Sequence, residues 1–463
     1  MEKEINFINQ EYIENLLKKS KNSSYEEIER VLNKAKNKEG LTHDEVASLL
    51  EIKDEKQKRE LYEIAGELKK SIYGNRIVVF APLYVSDYCV NNCTYCGYKR
   101  DNKFERKKLS REQIQNEVRL LEKMGHKRLA LELGEDPVNV PIEYTLDAID
   151  AVYSTKFENG SIRRINVNIA ATTVENYKKL KDAEIGTYIL FQETYHKPTY
   201  ERVHPKSLKG NYEYHLTAFN RAMEAGIDDV GAGVLFGLAD YKYEIIALML
   251  HNEYLEKEYG VGFHTISVPR IKKAEGMSLE EYPHQIDDDT FRNIVAIIRL
   301  AVPFTGMILS TRETAELRRE LIKYGISQIS AGSSADVGGY TDREEGKTRT
   351  QFELADHRTP LEVLKELLEQ DCIPSYCTAC YRMGRTGDRF MQLAKSGNIQ
   401  NVCSPNALLT LMEYAMDYGD DELTEKVEEV IERELQNIVR DDIKKLTIEK
   451  LEKIKNGERD LYL

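Results

Sequence analysis

The chain has 463 residues, of which 41% are hydrophobic, and it carries a formal net charge of -13 at pH 7. This charge argues against a nucleic-acid partner, because phosphate binding generally needs a basic face, and no apolar run approaches the roughly 18 residues of a membrane span. We therefore expect a cytoplasmic protein with no nucleic-acid or membrane partner. Its length suits one catalytic domain of about 250 residues with smaller additions at its ends.

The first 75 residues have the pattern of a helical cap. Ser24 with Glu27, and Thr42 with Glu45, have the spacing of a capping box, in which a hydroxyl residue is followed three positions later by glutamate. Helices are expected to begin at both points. Residues 1–75 are therefore predicted to form an N-terminal helical cap.

From residue 76 onward, short apolar segments alternate with longer amphipathic ones, a pattern that predicts parallel strands separated by helices. The eight predicted strands are 76–86, 127–133, 164–171, 186–192, 228–236, 263–268, 306–310 and 326–330. Eight such units favour an α/β fold with a TIM-type (β/α)8 barrel over residues 76–340. Periodicity alone leaves an open doubly wound sheet as an alternative.

Polar residues stand near the ends of several predicted strands, where a barrel places its active site. These residues are Gly134, Glu135, Asn168, Gln192, Glu193, Ser310, Arg312, Ser330 and Ser333. Asn168, Gln192 and Glu193 are candidates for hydrogen bonds to a cofactor or substrate. The alternation of strands and helices stops near residue 341. Residues 341–463 are therefore predicted to form a charged linker and a mostly helical C-terminal domain.

The first of two cysteine groups follows the first predicted strand. Cys89, Cys93 and Cys96 have the spacing C-x3-C-x2-C, and a reducing compartment favours metal or cluster ligation over disulfides. Three thiolates leave one iron of a 4Fe-4S cubane open to a small-molecule chelate. A structural zinc site is the alternative, but it needs four ligands and no fourth is obvious nearby.

This cysteine spacing resembles that of the radical SAM superfamily. The resemblance implies that S-adenosylmethionine (SAM) binds the open iron and is cleaved there by an electron from the cluster. It also implies that Tyr95 lies against the adenine and that Gly134 and Glu135 form the motif that binds the amino group of SAM. A reductant such as a ferredoxin or flavodoxin would be a partner.

The second cysteine group lies near the end of the chain. Cys377, Cys380 and Cys403 have the spacing C-x2-C-x22-C, which by itself is ambiguous between zinc and an iron–sulfur cluster. The presence of the first group makes an iron–sulfur cluster the favoured interpretation. Cys372 lies outside the spacing and is expected to be a buried apolar residue.

Four long motifs make the chain similar to the HydG family of FeFe-hydrogenase maturases. The motifs are CTACYRMGRTGDRFM at 377–391, CSPNALLTLMEY at 403–414, HTISVPRI at 264–271 and SAGSSADVGGY at 330–340. The related tyrosine lyase of thiamine synthesis shares the barrel motifs but has a shorter C-terminal cysteine spacing. The long spacing here therefore favours the maturase family.

The resemblance implies a two-stage reaction on L-tyrosine. A 5′-deoxyadenosyl radical would abstract hydrogen from the amino group, and the Cα–Cβ bond would break to give p-cresol and dehydroglycine. The glycine fragment would cross the barrel to an auxiliary cluster held by Cys377, Cys380 and Cys403, and become carbon monoxide and cyanide on a labile extra iron. Other hydrogenase maturation factors would be partners in using that product.

His264, the first residue of HTISVPRI, matches the family's histidine ligand to the extra iron. A lone histidine near a strand is more often structural, but neutral imidazole is a suitable iron ligand. The motif therefore makes His264 a predicted ligand.

Tyrosine also needs a clamp for its carboxylate, which Arg312 could bind through two hydrogen bonds. Ser310, Ser330 and Ser333 could add further hydrogen bonds; alternatively, Arg312 pairs with a helix carboxylate such as Glu313 or Glu316. Two other functions stay open. One is a tyrosine lyase that stops at dehydroglycine, as for thiamine thiazole synthesis, and the other is an iron–sulfur scaffold without turnover.

Overall fold

The predicted barrel is present in the computed structural model, which describes residues 7–38, 40–346 and 352–463. The strands are β1 (Arg76–Ser86), β2 (Arg128–Leu133), β3 (Lys156–Phe157), β4 (Gly160–Ser161), β5 (Arg164–Asn168), β6 (Tyr188–Glu193), β7 (Val230–Val234), β8 (Thr265–Ser267), β9 (Gly306–Leu309), β10 (Gln328–Ser330) and β11 (Ile373–Ser375). Nine of them form one parallel sheet, in which eight have the barrel order β1-β2-β5-β6-β7-β8-β9-β10 and β11 pairs with β1. Because β10 pairs with β1, the barrel is closed and the open-sheet alternative is wrong.

Helices precede, separate and follow these strands. They are α1 (Gln10–Ser20), α2 (Tyr25–Lys36), α3 (His43–Leu49), α4 (Glu55–Tyr73), α5 (Arg111–Lys123), α6 (Ile142–Ser154), α7 (Val174–Asp182), α8 (Lys197–Val203), α9 (Tyr212–Leu216), α10 (Ala218–Glu224), α11 (Tyr241–Tyr259), α12 (Asp288–Ala301), α13 (Ala315–Tyr324), α14 (Gly339–Glu344), α15 (Pro360–Glu369), α16 (Ala379–Arg382), α17 (Gly387–Lys395), α18 (Ile399–Tyr418), α19 (Asp421–Gln436) and α20 (Asp441–Lys455). The order confirms the predicted α/β architecture with helical regions at both ends.

The N-terminal helical cap begins its helices where the sequence indicated. A complete capping box is present at α3. The Thr42 side chain accepts a hydrogen bond from the backbone N–H of Glu45, and the Glu45 side chain accepts one from the backbone N–H of Thr42. At α2 the Ser24 hydroxyl accepts a hydrogen bond from the backbone N–H of Glu27. Helices α1, α3 and α4 pack against the barrel helices α11, α12 and α13, so this cap lies on the outside of the barrel.

The C-terminal region contributes a strand that the sequence did not predict. Strand β11 is only three residues long and contains Pro374, which weakens any strand pattern. It nevertheless pairs in parallel with Arg76–Val78 at the start of β1. The hairpin of β3 and β4, two residues per strand, was also not predicted. Neither has the local alternation of apolar and polar residues that predicts a strand. Strand β11 depends on a partner distant in the sequence, and β3 and β4 each have a partner of only two residues.

Helix α18 fixes the C-terminal region to the lower end of the barrel. Most of its residues are buried, and its Glu413 accepts hydrogen bonds from Arg163, just before β5. Asp460, near the end of the chain, forms a second ion pair with Arg163 at 3.0 Å. The domain boundary predicted at residue 340 falls inside α14 and remains a prediction; residues 347–351 of the predicted linker lie outside the described residues.

Within residues 7–38, 40–346 and 352–463, every helix is too short or too polar to cross a lipid bilayer.

Candidate active site and second cysteine site

The first cysteine group lies at the upper mouth of the barrel, where the strands have their carboxyl ends. Cys89, Cys93 and Cys96 follow β1 and line one cavity of about 180 Å³, which we call the upper cavity. All seven cysteines of the chain are among the described residues, and none is in a disulfide. The cysteine loop is anchored by the backbone N–H of Val90, which donates to the carbonyl of Glu135 at 2.8 Å. The sequence prediction of three thiols on one loop at a barrel mouth is therefore matched by the geometry.

The Gly134-Glu135 segment packs directly against this loop. A Cβ atom on Gly134 would collide with the carbonyl oxygen of Tyr88, so only glycine permits this close approach. Asn91, between the first two cysteines, donates through Nδ2 to the Glu135 carboxylate at 2.5 Å. The glycine thus lets the second strand end place its glutamate beside the cysteine loop.

Lys209 is a residue of the upper cavity that the sequence analysis missed. Its Nζ donates to Glu193 Oε1 at 2.7 Å, and its backbone N–H donates to Asn91 Oδ1 at 3.0 Å. Burial by itself would lower the pKa of Lys209, but the Glu193 carboxylate and the Cys93 thiol raise it, so the ammonium stays charged. Burial raises the pKa of the Cys93 thiol and the Lys209 charge opposes that rise. Lys209 therefore connects the cysteine loop to Glu193 and favours thiolate formation.

Most of the predicted cofactor residues meet in the upper cavity. The predicted residues that line it are Tyr95, Gly134, Glu135, Asn168 and Glu193. The Tyr95 hydroxyl is held by a 2.8 Å hydrogen bond to His204 Nε2. Gln192 does not line it, because Phe191 and Glu193 face the cavity and the residue between them points to the other side of the strand.

A second cavity of about 90 Å³ continues from the upper cavity into the barrel; we call it the interior cavity. The predicted clamp residues Ser310, Arg312, Ser330 and Ser333 all line it. Six residues line both the upper and the interior cavity: Tyr84, Glu132, Asn168, Phe191, Arg312 and Phe352. The two cavities therefore share walls, and a molecule in the interior cavity would lie next to a cofactor in the upper one.

Arg312 faces these cavities rather than a helix carboxylate. Its guanidinium lies 3.6 Å from the centre of the Phe352 ring, whereas Glu313 pairs with Arg270 and Lys272. Arg312 lines both cavities together with Glu132, which the sequence analysis did not single out. The alternative pairing with Glu313 is therefore not observed.

Glu132 completes a pair of opposite charges between the two cavities. Burial raises the pKa of Glu132 to about 7, although Arg312 and a hydrogen bond from Asn168 Nδ2, at 3.1 Å, favour its charged form. Ser333 adds a buried hydroxyl for which the described residues provide no hydrogen-bond partner. A cation, an anion and an unsatisfied hydroxyl in one cavity would suit a small zwitterion.

The second cysteine group lies at the opposite, lower mouth of the barrel. Cys377, Cys380 and Cys403 line a cavity of about 70 Å³, the lower cavity, together with His264. Strand β11 ends two residues before Cys377, so its pairing with β1 places the group below the barrel. Cys372 lies outside this cavity, but it is half-buried in a groove with Lys69 and Tyr324 rather than fully buried as predicted.

Positive charge surrounds the second cysteine group. A hydrogen bond from the Cys380 thiol lowers the pKa of Cys403 to about 6, and the Arg76 and Arg385 guanidinium groups act in the same direction. Burial raises the pKa of Cys377. Arg128 lines the same cavity. The three guanidinium groups therefore favour an anionic ligand and the Cys403 thiolate, whereas burial opposes ionisation of Cys377.

His264 lines the lower cavity beside Asp229, with 12% of its side chain exposed. Its Nδ1 lies 3.7 Å from Asp229 Oδ2, and burial lowers the pKa of the imidazole, so its neutral form predominates at neutral pH. Neutral imidazole is the form that binds metals. The structure therefore brings together the predicted histidine and the predicted second cysteine group.

Both donor sets are chemically suited to iron–sulfur clusters. Each cavity offers three sulfur donors, which such clusters prefer. Within the described part of the chain, no three His, Cys, Asp or Glu side chains converge on the position of a single metal ion. A cubane does not need that convergence, because each thiolate binds a different iron.

Comparisons with known proteins agree with this geometry. A family model described as "Radical SAM superfamily" matches residues 83–250, and one described as "Biotin and Thiamin Synthesis associated domain" matches residues 267–373. A crystal structure described as that of HydG, "A maturase of the [FeFe]-hydrogenase", is 56% identical, covers 99% of this chain and 100% of its own, and superposes with a TM-score of 0.95. The chain belongs to the radical SAM family, in the branch that contains HydG.

Two further relatives support this assignment. The HydG structure from Carboxydothermus hydrogenoformans is 37% identical, covers 95% of this chain and 97% of its own, and has a TM-score of 0.82. The 2-iminoacetate synthase of Escherichia coli (strain K12) is 30% identical over 364 residues, or 78% of this chain and 93% of its own. The chain is thus a radical SAM lyase, and the radical SAM family uses a 4Fe-4S cluster and SAM.

Proposed function

We propose that this radical SAM lyase cleaves the Cα–Cβ bond of L-tyrosine to p-cresol and dehydroglycine, and converts the dehydroglycine at a second iron–sulfur cluster into carbon monoxide and cyanide on an extra iron. That iron product would serve assembly of the FeFe-hydrogenase active site. The observation that carries the proposal is the presence of two cysteine triplets at opposite mouths of one barrel, with His264 beside the second.

The upper cavity would perform the first stage. A 4Fe-4S cluster held by Cys89, Cys93 and Cys96, together with SAM, would supply the 5′-deoxyadenosyl radical that removes hydrogen from the substrate amino group. Glu135 would bind the amino group of SAM, and Tyr95 would contact its adenine. Lys209 would keep Glu193 oriented toward the same cofactor through their hydrogen bond.

The interior cavity would hold L-tyrosine by its charged groups. Arg312 would bind the carboxylate, because its guanidinium offers two parallel donors, and Glu132 would accept a hydrogen bond from the amino group. Ser333 Oγ, buried without a partner among the described residues, would gain one from the substrate. Phe191 and Phe352 provide apolar surface for the ring. The opposite charges of Arg312 and Glu132 support an amino-acid substrate.

The barrel interior would provide the route to the second stage. Val78, Arg128 and Gln328 line the lower cavity. Two positions further along the same strands, Phe80, Ala130 and Ser330 line the interior cavity. Two residues of a strand span about 7 Å, so roughly one layer of side chains separates the cavities. A two-carbon fragment would need only small side-chain movements to pass.

The lower cavity would perform the second stage. Cys377, Cys380 and Cys403 would hold the auxiliary cluster, and His264 would bind the labile extra iron. Arg76 and Arg128 would attract an anionic fragment, because neither has an ion pair with a carboxylate among the described residues. This site is the part of the proposal that separates the maturase from a simple tyrosine lyase.

The decisive experiment follows the carbon atoms of the substrate. Anaerobic protein with both clusters reconstituted would be given tyrosine labelled with ¹³C at its carboxyl and Cα atoms, SAM and dithionite. We expect p-cresol and 5′-deoxyadenosine, with label in carbon monoxide trapped by haemoglobin and in derivatised cyanide. Omission of SAM is the control and should remove all four products.

Each alternative function predicts a different result. Formation of p-cresol and dehydroglycine without carbon monoxide or cyanide would leave a tyrosine lyase of the thiamine-pathway type. Absence of 5′-deoxyadenosine together with stable iron binding would favour a scaffold without turnover. Either result would overturn the two-stage proposal.

Replacing Arg312 with lysine should raise the tyrosine KM by about tenfold. Lysine keeps the positive charge but loses the bidentate geometry and the stacking on Phe352, and a charge-assisted hydrogen bond is worth about 1.5 kcal/mol or more. The measurement is the rate of p-cresol formation against tyrosine concentration. Arg319→Lys, at an exposed arginine paired with Glu366, is the matched control and should resemble wild type. An unchanged KM in Arg312→Lys would mean that Arg312 does not bind the substrate carboxylate.

A further inference from the structure

Asp229 and His264 form an incomplete pair at the edge of the lower cavity. Asp229 precedes β7 and His264 precedes the neighbouring strand β8, and the backbone N–H of His264 donates to the carbonyl of Val230 at 2.9 Å. Asp229 is only 3% exposed. Its Oδ2 and the Nδ1 of His264 both lack a hydrogen-bond partner among the described residues, although they lie 3.7 Å apart.

A buried carboxylate oxygen and a buried imidazole nitrogen without partners are both costly. A movement of less than 1 Å would join these two atoms in a hydrogen bond of ordinary length. In that bond the Nδ1–H of His264 would donate to Asp229, which leaves Nε2 unprotonated. Metal-binding histidines commonly have a carboxylate or carbonyl partner of this kind, which fixes the tautomer and raises the basicity of the ligating nitrogen.

We propose that Asp229 is a positioning residue that fixes the tautomer of His264 and presents Nε2 to the extra iron. This inference rests on the proposed function, because it takes His264 as the ligand of that iron. Among the described residues, His264 is the one basic side chain whose nitrogen lies within 4.0 Å of the Asp229 carboxylate. Asp229 is therefore not engaged by Arg128, although that arginine also lines the lower cavity.

The position of Asp229 is itself tied to the second cysteine group. Its Oδ1 accepts a hydrogen bond from the Thr187 hydroxyl at 2.9 Å, and the Thr187 oxygen lies 3.1 Å from the Tyr381 hydroxyl. Because Thr187 uses its hydrogen for Asp229, Tyr381 is the donor in the second bond. Tyr381 directly follows Cys380, and its ring lies 4.2 Å from the Arg164 guanidinium. This chain of contacts links the loop that carries Cys380 to the carboxylate that faces His264.

The test measures iron binding rather than turnover. Protein with both clusters reconstituted, but depleted of labile iron by a chelator, would be titrated with Fe(II) and followed by electron paramagnetic resonance. We expect Asp229→Ala to weaken Fe(II) binding by about 10- to 100-fold, and Asp229→Asn, which keeps the shape but not the charge, to weaken it less. The nitrogen hyperfine coupling from histidine should decrease in the same order.

Asp228→Asn is the matched control, because Asp228 is the exposed neighbouring carboxylate and contacts Thr386 instead. It should bind Fe(II) like wild type. Fe(II) affinity and nitrogen coupling within twofold of wild type in both Asp229 variants would overturn the inference. Loss of p-cresol formation in Asp229→Ala would mean that the fold is damaged, because p-cresol forms at the distant upper site. The Fe(II) affinity of the isosteric Asp229→Asn would then decide whether Asp229 positions His264.

His264→Ala separates this inference from the proposed function. If His264→Ala weakens Fe(II) binding and the Asp229 variants do not, Asp229 has no positioning role although His264 remains a ligand. If His264→Ala binds Fe(II) like wild type, the ligand assignment in the proposed function is wrong. Weak binding in both His264→Ala and Asp229→Ala, with normal binding in Asp228→Asn, supports both statements.

Discussion

Replacing Cys96 with alanine should reduce tyrosine cleavage by at least about 1000-fold, because without a radical the enzyme loses the source of its rate enhancement. Three thiolates are needed to hold a cubane while leaving one iron open to SAM, and Cys96 is one of the three that line the upper cavity. The measurement is anaerobic p-cresol and 5′-deoxyadenosine formation, quantified by chromatography. Both products should fall together.

The matched control for this experiment is Cys372→Ala. Cys372 belongs to neither triplet and lies in a separate groove, so its replacement should leave both products at wild-type levels. If Cys96→Ala retained substantial 5′-deoxyadenosine formation, the upper triplet would not be the site of SAM cleavage and the assignment of roles to the two triplets would be wrong.

Replacing Cys380 with alanine should separate the two stages. We expect p-cresol formation within about twofold of wild type, because the upper and lower cavities lie at opposite ends of the barrel. Carbon monoxide and cyanide should fall by at least about 100-fold, since even outer partners of metal ligands change affinity by 10- to 100-fold and Cys380 would be a direct ligand. The measurement is the same labelled-tyrosine assay with both gases trapped.

Accumulation of dehydroglycine, or of the glyoxylate formed by its hydrolysis, should accompany this loss in Cys380→Ala. Cys372→Ala again serves as the control, because it lies only eight positions earlier in the chain. Equal loss of p-cresol in Cys380→Ala and Cys96→Ala would contradict the separation of stages. Unchanged cyanide formation would show that the lower triplet does not support the second stage.

The sequence predicted the barrel well because the signal for each strand is local. Short apolar runs such as 127–133 and 306–310 stand out from their flanking helices, and the eight observed strands lie within three residues of the predicted bounds. Strand β11 was missed for the opposite reason. Three residues with a central proline have no alternation to recognise, and the strand exists because β1 offers it a parallel edge.

Some site residues were also out of reach of sequence patterns. Asn91 and Lys209 contact each other across a separation of 118 residues, and Asn168 and Glu132 across 36. Asparagine, lysine and glutamate near strand ends are common, so composition gives no reason to choose Asn91, Lys209 or Glu132, whereas Asn168 was predicted from its place at a strand end. For Asn91 a weak signal existed, because it lies inside the cysteine loop. Gln192 shows the reverse error, since a strand end was predicted correctly but the face of its side chain was not.

The sequence by itself predicted the ligand chemistry that we propose for this protein. Each cysteine group has a spacing that can be read along a few tens of residues or fewer. The first group lies on one loop, whereas Cys403 of the second lies on α18, apart from Cys377 and Cys380. Only the tertiary structure decided which residues share a site with them. His264, Asp229 and Arg76 come from three different strand beginnings, and they meet the second cysteine group because closure of the barrel and the pairing of β11 with β1 bring the lower strand ends together. Charge and hydrogen-bond complementarity between such distant segments depends on that closure, and therefore has no local pattern in the sequence.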